Sequence, residues 1–170
     1  MLRPLPRRAL APLVLALAFL AGCSSSNSTT GPSGDSYYLR FKANGTQVQF
    51  TNDASLQGAF SRSGIQYNGL FTGFDAASNM SLQVFDEAAI TQKSYSGFDI
   101  SRGALRGVLL TYQDTGGVVY GSGGNGTDAV VTITEMSQTA VKGTFSGTVK
   151  VNGHPNVAIT AGEFVVHRAN

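Results

Sequence analysis

The residues able to do chemistry are few and scattered along the chain. Gly121-Ser122-Gly123-Gly124-Asn125-Gly126 fits G-x-G-x-x-G and follows a strand-like segment, the pattern with which a dinucleotide fold cradles a pyrophosphate. That chemistry needs a helix opening at the last glycine, so that its N-terminus meets the phosphates, and an acidic residue about 20 positions on. Residues 127–134 alternate as a strand instead, so nucleotide binding is not expected. Asp114, Asn125 and Asp128 surround the same loop with oxygen ligands of the kind calcium takes. The simpler reading is an inert hairpin connection, and that is the expectation. The two histidines, His154 before Pro155 and His167 near the end, would need two further ligands to hold zinc, and with no cysteine to join them those would be carboxylates. Asp86-Glu87 is the one adjacent carboxylate pair, but neighbours on a strand point to opposite faces, so it reads as a solvated strand end. Gly143-Thr144-Phe145-Ser146-Gly147 is G-x-x-S-G rather than the G-x-S-x-G nucleophile elbow, and Ser146 falls on the wet side of a strand. No catalytic residue, metal site or cofactor is expected, no enzyme is inferred, and ligand-binding residues stay unassigned.

Cys23 has a clearer chemistry. Residues 1–22 divide into a basic start with Arg3, Arg7 and Arg8, an apolar run from Leu10 to Leu20 broken only by Pro12, and the small residues Ala21-Gly22. The run is shorter than the roughly 20 apolar residues that cross a bilayer, so it reads as an export signal and not a span. Arg7-Arg8 is flanked by residues that suit a twin-arginine signal poorly, which favours the general export route. Leu20-Ala21-Gly22-Cys23 resembles the lipobox of bacterial lipoproteins, which implies a lipid on the Cys23 thiol and cleavage just before it. A lipidated Cys23 leaves no thiol for a disulfide, so the fold must rest on its core. Three of the twelve basic residues lie in the leader; nine remain against ten acidic ones, a formal charge of −1 after cleavage. No Lys/Arg cluster survives, which argues against nucleic acid and against a polybasic membrane patch. Ser24 follows the cysteine and no acidic run comes after it, so the expected address is the outer membrane, facing the periplasm.

Residues 23–35 join that cysteine to a Ser/Gly/Thr tether, SSSNSTTGPSGD, with nothing to bury and a reach on the order of 20 Å. Residues 36–170 form a single domain's worth of chain, rich in Gly, Val, Thr, Phe and Tyr, with no sustained 3.6-residue period. Tyr37, Leu39 and Phe41 share a face; Ala43-Asn44-Gly45 turns the chain, and Val48 and Phe50 bring the apolar face back. Leu82 and Val84 alternate with polar residues, and Val108, Leu110 and Tyr112 lead through a turn at residues 114–117 into residues 118–120, a second hairpin. Ala129, Val131 and Ile133 alternate before a turn at residues 135–138. The longest alternation runs from Val141 through Gly143, Phe145, Gly147 and Val149 to Val151, with Lys142, Thr144, Ser146, Thr148 and Lys150 on the wet side. Glycines at two inward positions predict a close approach or strong curvature. After Asn152-Gly153, Val157, Ile159 and Ala161 continue, and the slip of parity to Phe164 and Val166 predicts a β-bulge. Residues 86–91 read as a loop. Three Asn-X-Ser/Thr triplets, at Asn44, Asn79 and Asn125, read as turns.

The expected fold is all-β, an antiparallel sandwich or partly open barrel of about 8–10 short strands. The order of these signals, ending in KGTFSGTVKV and VAITAGEFVV, resembles a group of small uncharacterised Gram-negative envelope lipoproteins in which a GTFSGT-like strand and an ITxGEF strand close the chain. The resemblance implies an all-β domain at the cell envelope and carries over no binding residue. The functional expectation is a lipid-anchored domain held to the membrane through Cys23, with a binding or scaffolding role. The alternative is a carrier of a small apolar ligand inside a barrel.

Overall fold

Alternating segments pair into sheet along most of the described residues. The computed structural model describes residues 36–169 apart from Arg102 and Asn125. The readings placed on the leader, on Cys23 and on the tether therefore lie outside the described residues. The strands are β1 (Tyr38–Ala43), β2 (Thr46–Phe50), β3 (Gln57–Ser63), β4 (Gln66–Phe74), β5 (Asn79–Asp86), β6 (Ser94–Ser96), β7 (Phe98–Ser101), β8 (Ala104–Gln113), β9 (Val119–Gly121), β10 (Val130–Met136), β11 (Ala140–Val149) and β12 (Val157–Arg168). One 3-10 turn, Asp53–Ser55, lies between β2 and β3.

The all-β expectation holds, with twelve strands where about 8–10 were expected. Two of them, β6 and β7, span only three or four residues, too few for alternation to announce them, whereas β9 pairs with β8 across the turn at residues 114–117 as the expected hairpin. The twelve strands form one sheet that is not closed, in the order β6-β10-β11-β12-β3-β4-β5-β8-β7, with the β1–β2 hairpin added to β12 and β9 to β8. The sheet is mixed: β12 meets β3 in parallel over His167↔Gln57 and Arg168↔Gly58, and the other described ladders are antiparallel.

The sheet doubles over, so that inner faces meet. Phe71 of β4 stacks on Phe164 of β12 with ring centroids 5.0 Å apart, and Phe41 of β1 meets the edge of Tyr112 of β8 at 5.4 Å. Phe145 of β11 packs beside both Phe41 and Phe164. The interior is thus filled with aromatic rings, and Leu39, Leu56, Leu82, Val108 and Val131 are fully buried around them. On the far side the sheet is laced without a continuous ladder. The Val108 N–H donates to the Gly97 carbonyl, between β6 and β7, at 2.8 Å, and Gly121 and Lys150 exchange two backbone hydrogen bonds of 3.0 and 2.9 Å.

The local signals explain the pairings that position these faces. Asn44 and Gly45 both have positive φ, 47° and 86°, as a tight two-residue hairpin demands. The Asn44 side chain also accepts the Ala158 N–H at 2.8 Å, tying the hairpin to β12. The predicted bulge lies at Ala161, whose φ is +50°, and the registers of both β1 and β11 with β12 shift there. Val157 and Ile159 face inward before it, Phe164 and Val166 after it. On β11, Val141, Gly143, Phe145 and Val149 are buried while Thr144 and Ser146 are exposed. Gly143 has no room for a side chain: a Cβ would overlap the Thr132 carbonyl oxygen and lie 2.5 Å from the Phe164 ring. Two further readings need correction. The Asn79 triplet begins β5 and is no turn, and β10 runs on to Met136, so its turn comes later.

Phe145→Ala should cost about 3 to 5 kcal/mol in denaturant melts, whereas Thr144→Ala on the exposed face should cost less than about 1 kcal/mol. Gly143→Ala, which adds one methyl where Thr132 and Phe164 close in, should also destabilise, by about 1 to 3 kcal/mol. Equal costs for the two β11 alanines would refute the face assignment.

Candidate functional site

The residues whose types suggested chemistry are spent on structure, each in its own place. Asp114 caps the β8–β9 turn: its Oδ1 accepts the N–H groups of Gly116 and Val118 at 2.9 and 3.0 Å, and its Oδ2 accepts the Tyr120 hydroxyl at 3.4 Å. Asp128 is held by Thr148, whose N–H and Oγ1 each donate at 2.7 Å. Those two hydrogen bonds, side chain and then backbone, hold the Asp128 carboxyl below its ordinary pKa. Asn125 lies outside the described residues.

The loop between β9 and β10 is not the hairpin connection expected. β9 pairs with β8, and β10 pairs with β11 and β6, so the loop joins strands that are not neighbours. Its first residues are packed. Ser122 is buried, its N–H donates to the Leu110 carbonyl at 2.9 Å, and its Oγ accepts the Leu110 N–H at 2.8 Å. A serine thus extends the β8–β9 ladder by one residue, which its place in a glycine-rich run concealed.

Asp86 and Glu87 are not a solvated strand end either. Lys93 donates to Asp86 at 2.6 Å, and Arg106 pairs with Glu87. Burial pushes the Asp86 carboxyl up, but the Lys93 ammonium and the Ala88 N–H outweigh it and leave it below the ordinary value. His167 stacks on Tyr37 with centroids 3.5 Å apart, and its Nε2 lies 2.7 Å from Asp53 Oδ1, an exposed carboxylate. His154 meets the edge of the Tyr120 ring at 6.2 Å. Ser146 is exposed on β11, as its parity required.

What the fold does assemble is a surface. Inward residues of β3, β4, β5 and β8 fill the core, so the alternate residues form one outer face. Cross-strand registers order it into rows. Ala59, Leu70, Gln83 and Leu109 make one; Gln57, Thr72, Ser81 and Thr111 the next; Phe74, Asn79, Gln113 and Val119 of β9 the third. None of these twelve residues is charged. Amides and hydroxyls supply the polarity, and Asn79 Nδ2 donates to Gln113 Oε1 at 2.5 Å. Leu70, Phe74 and Val119 are 38%, 48% and 52% exposed, three of the five large apolar side chains so exposed among the described residues.

The other layer is different. Arg40 of β1 pairs with Glu163 of β12 at 2.5 Å, and Lys142 of β11 with Glu135 of β10 at 3.4 Å. The charge asymmetry has a trace in sequence: between residues 54 and 85 only Arg62 and Asp75 are charged. Without the strand register, that scarcity could not be assigned to one face. No family model, curated protein or solved structure matches this chain.

Asp128→Ala should lower the melting temperature near neutral pH, equally with and without millimolar calcium. Because the folded Asp128 pKa is depressed, its contribution is complete above the unfolded value of about 3.9 and is lost as pH falls through the lower folded value. The gap between wild type and variant should therefore close only in strong acid. A calcium-dependent rise in the wild type that vanishes in Asp128→Ala would instead assign the carboxylate to an ion.

Proposed function

We propose that this protein is a lipid-anchored domain of the cell envelope that binds or scaffolds through the uncharged outer face of β3, β4, β5, β8 and β9, and that it is not an enzyme. The charge distribution carries this reading. Protein surfaces normally mix charges of both signs at roughly a quarter to a third of positions, and the cores of interfaces are where charged residues are depleted, because burying an ion costs its hydration. A sheet face with amide and hydroxyl donors, three exposed apolar side chains and no ion to desolvate has that composition. The filled interior also favours binding on the outside over carriage inside.

The anchor in this proposal is Cys23, with the leader removed before it and the tether holding the domain off the outer membrane on its periplasmic side. The resemblance to small Gram-negative lipoproteins points the same way. Two acyl chains or more give stable anchoring where one gives marginal binding.

Cys23→Ser should abolish membrane retention of the processed form and leave soluble or uncleaved protein, followed by fractionation and mass measurement; normal processing and retention would overturn the anchor. For the face, a photo-cross-linking residue at Gln83 should trap a specific envelope partner in living cells, while the same residue at Thr144 on the opposite layer should not. Equal products from both positions would show that the uncharged face has no special role.

A further inference from the structure

We propose that the cleft at the end of β3 and β4 binds a small amphiphilic anion, a carboxylate head group on a short acyl body. The inference rests neither on the anchor nor on the outer face. It begins with strand parity. On the inner face of β3, Gly58 and Phe60 are followed by Arg62; on that of β12, Phe164 and Val166 are followed by Arg168. Two arginines thus occupy positions that alternation reserves for core residues, where the inner faces leave the packed interior.

Between them lies a cleft of about 330 Å³. Phe60, Ile90 and Met136 line its apolar part, with Phe60 set edge-on against Phe71 of the core at 5.8 Å. The Arg62 guanidinium lies 5.0 Å over the ring of Tyr67, its cross-strand partner, and its Nε donates to the Gly64 carbonyl at 3.0 Å. The Arg168 guanidinium lies 5.3 Å over the Phe60 ring, and its Nη1 donates to the Ser137 carbonyl at 2.8 Å. Neither meets a carboxylate among the described residues.

The chemistry follows from what is left over. A guanidinium is a cation with five donors, most of which here have no acceptor among the described residues. Each guanidinium lies over a ring and donates to a backbone carbonyl, so it is held at two points, and donors remain that suit the fork of a carboxylate. Two cations flanking one cleft repel each other, and an anion between them relieves that repulsion. The apolar lining next to them removes water from an attached chain. A volume near the lower end of small-molecule sites limits that chain to a short one.

The test uses the full chain carrying Cys23→Ser, so that no attached acyl group competes, labelled at the methionine methyls. Octanoate should shift the Met136 methyl resonance saturably. Octan-1-ol, which has the chain without the charge, and acetate, which has the charge without the chain, should each bind about tenfold more weakly or worse, the scale of a lost charge-assisted hydrogen bond or lost apolar burial. Arg62→Gln combined with Arg168→Gln should lose octanoate binding by a similar factor at an unchanged melting temperature. Octan-1-ol binding as tightly as octanoate would overturn the proposal, as would a Met136 signal that octanoate does not move. The comparison of the three ligands is made on unaltered arginines, so it decides the matter even if the double variant folds poorly.

Discussion

The architecture depends on one strand and the irregularity within it. β12 is shared by three partners: β11 runs along one edge, and on the other β1 gives way to β3 at the strand's end. A regular strand could not serve them all, because Ile159 and Phe164 differ in parity and one of them would face solvent. The bulge at Ala161 inserts the extra residue that turns both inward. Phe164 can then stack on Phe71 and pack beside Phe145, which joins the two layers of the doubled sheet. The same ring, together with the Thr132 carbonyl of β10, excludes a side chain at Gly143.

With the interior closed by that stacking, the features left for recognition lie at the surface and at the open end. The outer face of β3, β4, β5, β8 and β9 is uncharged because its polar positions are filled by Ser, Thr, Asn and Gln, while ion pairs such as Arg40–Glu163 and Lys142–Glu135 stand on the other layer. Such a face is also an unguarded one, since charges are the usual protection against adventitious pairing. At the open end, the interior parity of β3 and β12 carries two guanidiniums to the rim of an apolar cleft. Neither meets a carboxylate among the described residues; Asp86, across from Tyr67, is committed to Lys93, and Glu87 to Arg106.

Much of the fold was legible in local order. The Asn44-Gly45 hairpin, the faces of β8, β10 and β11, and the bulge of β12 follow from alternation and turn chemistry, and these depend on residues within a few positions of one another. β3 and β4 were not read from sequence because glycines stand at inward positions 58, 69 and 73, where an apolar residue would have marked the period; a Cβ would lie 3.1 Å from the Phe71 ring at Gly58 and 3.0 Å from the Phe50 ring at Gly73. β6 and β7 were too short to show a period, while β9 was legible only through the turn that precedes it. Ser122 and the Asp86–Lys93 pair were misjudged for a related reason, since their partners come from other segments.

Residue order alone was enough to establish that the domain is all-β and which residues on most strands face inward. It also showed that charged residues are scarce between 54 and 85. Only the tertiary structure decided that this scarcity becomes one continuous face, that β9 and β10 take different partners, and that Arg62 and Arg168, remote in the chain, flank a single cleft. The physical reason is that alternation specifies a strand's two faces, whereas a strand's neighbours are selected by the fit of whole faces, including the rings of Phe71, Phe145 and Phe164 that must interlock before the sheet can double over.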